Sequence, residues 1–229
     1  MVKHVAIILD GNRRFAKRLM LEPWKGHEYG RDKVEKLVDW CVELGVKELT
    51  LYAFSIQNFN RPKKEFDYIM NLIRDAFNSF LTSPKIKKYG IRVNVFGRYN
   101  LFPKKVVESL NQVMEQTKNN KEFIINFAMA YGGREEITDA VRKVAEKVEQ
   151  GKLSSKNISE AIVRASLYTD SEPELIIRTG GEMRTSNFMM WQSSYSEWFF
   201  LKKMWPEFTK VDFIKVLKEF SARERRFGR

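Results

Sequence analysis

His4-Val5-Ala6-Ile7-Ile8-Leu9-Asp10-Gly11-Asn12 passes from an unbroken apolar run straight into an acid, a glycine and an amide. Five consecutive apolar residues, Val5 to Leu9, suit a strand covered on both faces, which is the environment of a parallel sheet rather than of a half-solvated antiparallel one. The polar turn that follows falls where such a strand would deliver the chain to the carboxyl rim of its sheet. In open α/β sheets that rim is where ligands bind.

The remainder of the chain repeats the alternation. Leu37, Val38, Cys41 and Val42 keep helical spacing in a helix read from Val34, with Gly45 as its stop. Leu49 to Phe54 is the next strand. Phe66, Ile69, Met70, Ile73, Phe77, Phe80 and Leu81 predict a long helix with a wide apolar face, closed by Pro84. Ile91, Val93 and Val95 alternate as a strand, and Val106 to Met114 form a helix with Pro103 near its start. A strand over Phe123 to Ala130 and a helix over Ile137 to Val148 follow, then a short helix near Glu160 to Leu167 and a strand at Leu175-Ile176-Ile177. Tyr195 to Leu201 is a candidate strand, and Phe213, Ile214, Leu217 and Phe220 mark a final helix. This order predicts an α/β fold with a mostly parallel central sheet flanked by helices. Without an internal repeat or a Ser/Gly-rich linker, residues 1–229 read as a single domain.

Composition narrows the partners. Of the 229 residues, 43% are apolar and 31% charged, as in a globular chain rather than a disordered one. The longest apolar runs fall far short of the roughly 20 residues of a membrane-spanning helix. The Met1-Val2-Lys3-His4 start lacks a signal-peptide core, so a cytoplasmic location is the default expectation. The lone cysteine, Cys41, reads as a buried core thiol. A net charge of +12 calls for an acidic partner: nucleic acid, an anionic lipid surface or a phosphorylated metabolite.

The strand ends decide among these. They carry Asp10-Gly11-Asn12-Arg13-Arg14, then Ser55 to Pro62, Gly97-Arg98, Tyr131-Gly132-Gly133-Arg134, and Arg178-Thr179-Gly180-Gly181-Glu182 with Arg184-Thr185-Ser186-Asn187. Glycine lets backbone N–H groups approach an anion, and arginine offers bidentate recognition of phosphate oxygens. One such turn is ordinary turn chemistry; several on one rim point to phosphate binding. Asp10, a turn former when taken singly, becomes a candidate Mg²⁺ ligand in that company, because Mg²⁺ is held by one or two carboxylates plus substrate phosphates. Glu197 is a candidate second carboxylate. His27, within Gly26-His27-Glu28-Tyr29-Gly30, is read as lying on a loop near the first anion site. The sequence has no G-x-G-x-x-G after the first strand, no Walker A loop, no zinc spacing, no G-x-S-x-G and no paired aspartate-rich motif. No nucleic-acid recognition motif accompanies the charge.

These segments, in this order, resemble the cis-prenyltransferases, the undecaprenyl and dehydrodolichyl diphosphate synthases. The resemblance runs from His4 to Arg226-Phe227-Gly228 and includes Tyr52-Ala53-Phe54-Ser55, Asn58, Arg61-Pro62, Asn126, Tyr131-Gly132-Gly133-Arg134, Ile177 to Glu182, Ser186-Asn187-Phe188, Trp191-Gln192 and Trp205-Pro206. It implies an undecaprenyl diphosphate synthase-like fold and a Mg²⁺-dependent reaction. An allylic prenyl diphosphate, farnesyl or geranylgeranyl, loses its diphosphate, isopentenyl diphosphate attacks the allylic carbon, and loss of a proton leaves a new cis double bond.

By the same resemblance, Asp10 and Glu197 hold the metal and Asp10 assists ionisation. Gly11, Asn12, Arg13 and Arg14 cradle the allylic diphosphate with His27 nearby. Arg178, Arg184 and Ser186 hold isopentenyl diphosphate, and Phe15, Ser55, Phe59 and Arg61 complete the substrate-binding set. Asn58 takes the position of the proposed proton acceptor, although a neutral amide suits positioning better than proton abstraction. A homodimer is implied, with the Arg226-Phe227-Gly228 end at its interface, as is peripheral membrane contact for product release; nucleic acid is not expected. The apolar face from Phe66 to Leu81, with Ala53, is the candidate tunnel for the growing hydrocarbon.

The sequence departs from the usual pattern at Arg13, where family members often carry Gly, at Phe15 and Phe59, where they carry Trp, at Gln57, where they carry Glu, and at Pro23, where an Arg is common. Phe54 to Phe59 looks closer to archaeal and eukaryotic members. Three alternatives stay open: transfer of the prenyl group to another acceptor or an irregular coupling on the same fold, a non-catalytic partner subunit, and a nucleic-acid-binding protein.

Overall fold

The structure is a computed structural model that describes residues 2–223. Six strands, β1 (His4–Ile8), β2 (Glu48–Ser55), β3 (Ile91–Phe96), β4 (Phe123–Tyr131), β5 (Leu175–Arg178) and β6 (Glu197–Phe200), form one sheet in the order β3-β4-β2-β1-β5-β6. Every pairing is parallel, with Ile8 level with Tyr52 on one side and with Arg178 on the other. β1 is wholly buried, as its apolar run requires. The helices are α1 (Asn12–Arg18), α2 (Gly26–Glu43), α3 (Lys63–Thr82), α4 (Pro84–Lys88), α5 (Lys104–Thr117), α6 (Gly133–Glu149), α7 (Glu160–Arg164) and α8 (Lys210–Ala222).

Strand alternation sends side chains to two cores. Val5, Ile7, Leu49, Leu51, Ile125 and Phe127 face the larger one, with Leu37 and Cys41 of α2, Ile73 and Phe77 of α3, Leu110 of α5 and Phe213 of α8. Ala6, Ile8, Tyr52, Phe96 and Ala128 face the smaller, where Tyr131, Phe188 and Met189 pack on them. At roughly 25 cal/mol per Å² of apolar area, the larger core is the main source of stability. Cys41 lies within it, and burial pushes its thiol pKa up.

Several helices differ from the sequence-based expectation: α4 starts at Pro84, expected only as the close of α3, α6 begins four residues before Ile137, and α1 and α2 depart most. α2 begins at Gly26, eight residues before Val34, so His27 stands in the first turn of a long helix and not on a loop. The first two turns carry few apolar residues because they pack through glycine: a Cβ on Gly30 would meet the Asn12 side chain at 2.5 Å and the Trp205 ring at 3.0 Å. α1, which has no apolar period of its own, escapes hydrophobic pattern reading; only Asn12 and Ala16 of its seven residues are buried.

Candidate active site

The order of the sheet places the carboxyl ends of β1 and β5 side by side, where the chain's connections diverge to opposite edges. That is the crevice where open α/β sheets bind ligands. Asp10 leaves β1 there. Its backbone carbonyl accepts from Thr179 Oγ1 at 2.8 Å and from Trp205 N–H at 2.9 Å, which fixes the turn. Gly11 follows with φ 106°, and a Cβ at this position would lie 2.8 Å from that of Met204, so conformation and space both demand glycine.

The Asp10 carboxylate lies between two arginines. Arg178 Nη2 donates to Oδ2 at 2.8 Å and Arg14 Nη2 to Oδ1 at 3.2 Å. Arg178 is 4% exposed, and its Nε is buried with no hydrogen-bond partner. Nη1 donates to Ser186 Oγ at 2.7 Å and to the Arg184 carbonyl. An unused donor on a buried guanidinium costs about 1–3 kcal/mol, and the planar fork of Arg178 suits recognition of an anion in the cavity it lines.

The segment after β5 is wound tightly around this cation. Ser186, Asn187 and Met189 have φ of 49°, 63° and 46°, a left-handed region that non-glycine residues enter at a cost. Asn187 holds the shape: its Oδ1 accepts from Arg134 N–H at 2.8 Å, its Nδ2 donates to Glu135 at 2.9 Å, and its carbonyl accepts from Gly133 N–H at 2.7 Å. Phe188, fully buried, stacks on Tyr52 with centroids 4.7 Å apart. The Gly-Gly-Arg turn after β4 thus serves as a buttress for the β5 loop.

On the other side, Arg61 Nη1 donates to His27 Nε2 at 3.1 Å and to Glu65 Oε1 at 2.6 Å, and Arg13 approaches the same carboxylate at 3.4 Å. Glu65 is 2% exposed, a fully buried acid shared by two arginines. Burial, reinforced by Arg61 and Arg13, pushes the His27 pKa down to about 3, so the imidazole is neutral at pH 7. Glu65 is a positioning residue that sequence reasoning passed over; the signal was its i+4 spacing from Arg61. Asn58 Oδ1 accepts from Ser55 N–H at 3.0 Å. That bond ties the side chain to the start of the loop after β2, and leaves the amide N–H₂ and a second oxygen lone pair beyond it.

A cavity of about 850 Å³ opens from this rim and continues beneath it. Asp10, Asn12, His27, Ser55, Asn58, Arg61, Arg178 and Ser186 line its polar end. Asn12 Oδ1 is a further buried atom without a partner. The apolar end runs along α3 past Ile69, Ile73, Ala76 and Phe80, with Ala53 on β2. The face that sequence periodicity assigns to α3 is therefore the wall of a cavity as well as core.

Other expected residues stand apart from the cavity lining. Arg14 and Arg184 both pair with Glu182, at 3.4 and 2.5 Å, at its edge. Phe15 packs edge-on against Tyr29, and Phe59 joins Phe54, Phe66 and Phe102 in an aromatic cluster. Glu197 does not join Asp10 within this chain. It opens β6 level with Leu175, three residues, roughly 10 Å, toward the amino end of the sheet from the level of Arg178, and pairs with Arg223 at 2.5 Å. Gly97-Arg98 is also structural: Arg98 forks onto Asp139 at 2.8 and 3.0 Å. The Arg226-Phe227-Gly228 end lies outside the described residues.

The family model for putative undecaprenyl diphosphate synthases matches residues 8–228. The chain belongs to that family. As a member of the undecaprenyl diphosphate synthase family it is a cis-prenyltransferase, joining isopentenyl diphosphate to an allylic prenyl diphosphate. It is 48% identical over 229 residues to the tritrans,polycis-undecaprenyl-diphosphate synthase (geranylgeranyl-diphosphate specific) of Pyrococcus furiosus, covering 99% of this chain and 87% of the relative. The enzyme of the same name from Methanopyrus kandleri is 47% identical, covering 99% and 84%. Among solved structures, lavandulyl diphosphate synthase from Lavandula x intermedia, in complex with dimethylallyl diphosphate, superposes with a TM-score of 0.93 at 35% identity, covering 100% of this chain and 98% of that one. A probable undecaprenyl diphosphate synthase from Campylobacter jejuni gives 0.83 at 34% identity, covering 100% and 99%.

Proposed function

We propose that this cis-prenyltransferase takes geranylgeranyl diphosphate as its primer and extends it repeatedly to a long cis-polyprenyl diphosphate, through one catalytic domain. The observation that carries this is a single cavity that joins a cationic, partly unsatisfied cradle to an apolar channel along α3. A long-tailed diphosphate needs both, in that order. The archaeal relatives at 44–48% identity whose names specify geranylgeranyl diphosphate support the choice of primer.

In this account, Asn12 and the first turn of α1, whose N–H groups have no intrahelical acceptor, meet the allylic diphosphate beside Arg13, Arg14 and neutral His27. Arg178, Arg184 and Ser186 meet isopentenyl diphosphate. The allylic C–O bond breaks with its electron pair leaving on the diphosphate, the isopentenyl double bond forms the new C–C bond, and a proton departs. Fixed donors around the leaving group stabilise charge that grows as that bond breaks. Asn58, whose Oδ1 accepts from Ser55 N–H, orients the loop after β2, a positioning role that suits a neutral amide better than proton abstraction.

Asp10 fits Mg²⁺ of the kind carried in by phosphate: it offers one carboxylate at the polar end of the cavity, and among the described residues no cluster of three or more His, Cys, Asp or Glu forms a dedicated cage. Mg²⁺ bound there would neutralise diphosphate charge.

The proposal extends to a homodimer and to membrane contact. β6 is an edge strand with Trp198 and Phe200 stacked 5.7 Å apart, which suits a self-complementary contact. No described helix is long and apolar enough to cross a membrane. Leu19, Met20 and Leu21, 45%, 96% and 39% exposed at the end of basic α1, suit peripheral contact with an anionic lipid surface.

The test is incubation with labelled isopentenyl diphosphate, Mg²⁺ and, separately, geranylgeranyl, farnesyl and dimethylallyl diphosphate. Chain-lengthened diphosphates, most rapidly from geranylgeranyl diphosphate, are expected. A preference for a shorter primer contradicts the primer assignment, and products other than elongated diphosphates favour the alternative acceptor or coupling reaction.

A further inference from the structure

The cavity follows α3 from Ile69 to its end at Thr82, about 20 Å at 1.5 Å per residue, and finishes against Ser83, Pro84, Lys85 and Ile86. That far wall differs from the sides. At Ser83 the chain leaves α3 in an extended conformation (φ −67°, ψ 122°) and restarts at Pro84 as the short helix α4, whose Ile86 packs into the larger core. α4 is then fastened to α2 by polar groups. Lys85 Nζ donates to Asp39 Oδ2 at 2.8 Å and to the Glu35 carbonyl at 3.3 Å, and Tyr89 O–H donates to Asp39 Oδ1 at 3.2 Å. One carboxylate on α2 thereby holds both the start of α4 and the residue that follows it.

We propose that Lys85, Asp39 and Tyr89 form a latch across the distal end of the channel, and that this latch sets the length of the polyprenyl product. The Lys85 and Asp39 side chains are 34% and 38% exposed, so the tie borders solvent. An ion pair at such a place is weak. A chain still short of the wall does not touch it, whereas a longer one presses on Ile86 and Ser83 and must either stop or part α4 from α2. Opening the latch gives the hydrocarbon a way out between these helices and permits further additions. Closure makes each further addition compete with dissociation of the product. The latch lies far from Asp10, so its loss leaves the first condensation untouched.

This inference rests on the proposed elongation activity. The experiment compares product-length distributions of the full chain, Asp39→Ala, Lys85→Ala, and the exchange variant Asp39→Lys/Lys85→Asp, with geranylgeranyl diphosphate as primer and a large excess of isopentenyl diphosphate. A single-addition assay and a thermal melt on each variant accompany it. Both alanine variants are expected to shift the distribution to longer products with first-addition rates within about two-fold of the unaltered chain, and the exchange variant to shift it back. Unchanged or shortened products from folded alanine variants overturn the latch, as does an exchange variant that behaves like the alanine ones. Failure of the unaltered chain to elongate any primer would instead overturn the functional proposal itself.

Discussion

The guanidinium of Arg178 lies 2.8 Å from the carboxylate of Asp10, although 168 residues separate them in the chain. β1 and β5 are neighbours in the sheet, with Ile8 level with Arg178, so the pairing register itself brings the two strand ends together. Arg178 is 4% exposed yet lines the cavity with Asp10, an arrangement that puts a fixed positive charge beside an acid that a metal ion can approach from the open side. In water-poor surroundings such a pair is costly to break, because either partner left unpaired keeps its desolvation penalty.

Arg178→Lys tests whether charge or shape matters here. Lysine keeps the charge but cannot serve Asp10, Ser186 and the Arg184 carbonyl from one planar group. Turnover should fall by about 10-fold or more with a raised KM for isopentenyl diphosphate, measured by initial rates. Unchanged kinetics would separate Arg178 from that substrate.

His27 makes stability depend on pH. Its folded pKa is about 3, below the ordinary value of 6.5, so the unfolded chain binds the proton more readily. The sign follows: stability is full above about pH 6.5 and is lost as pH falls from there toward 3. Denaturant unfolding at a series of pH values should show a decline over that window that is shallower in His27→Gln. Equal slopes would show that His27 is not the group responsible.

Asn58→Ala removes the acceptor for Ser55 N–H, as loss of a helix cap does, and should cost about 1 kcal/mol of stability. Turnover should fall as the loop after β2 loses its shape. The pH-rate profile should keep its form, since a neutral amide does not titrate. A limb that disappears from that profile would show that Asn58 governs the titration of a neighbouring group and does more than hold the loop.

Ala76 lines the channel midway along α3. Ala76→Phe should leave the first addition of isopentenyl diphosphate nearly intact and shorten the final product, seen by chromatography of the dephosphorylated chains. A product of unchanged length would place the growing tail elsewhere.

The strands were legible from sequence because both faces of the sheet are covered, so Val5 to Leu9 appears as an apolar run and Phe123 to Ala130 as one broken only by Asn126. The β6 boundaries and the start of α2 were less so. α2 begins among glycines and polar residues whose reason for being there, close packing against Asn12 and Trp205, is a tertiary one. The polar rim was legible in kind, through Asp10, the arginines and the glycines, but not in assignment. Nothing local says that Arg98 forks onto Asp139 while Arg178 turns to Asp10, or that Gly132 to Arg134 braces Asn187. Glu65 hid as one more acid in a helix until burial showed that it anchors Arg61 and Arg13. Glu197 illustrates the reverse: the family resemblance offers it as a metal ligand, yet within one chain the β5–β6 register carries it away from Asp10.

Asp10 is the centre of the account, and Asp10→Ala tests it most directly. The measurement is the steady-state rate of isopentenyl addition to geranylgeranyl diphosphate with saturating Mg²⁺, on a variant whose circular dichroism and thermal melt match those of the unaltered chain. A folded protein slower by a factor on the order of 10²–10³ or more is the predicted result, since the acid serves the charge that develops as the diphosphate leaves. A folded variant within a few-fold of the unaltered rate would contradict it.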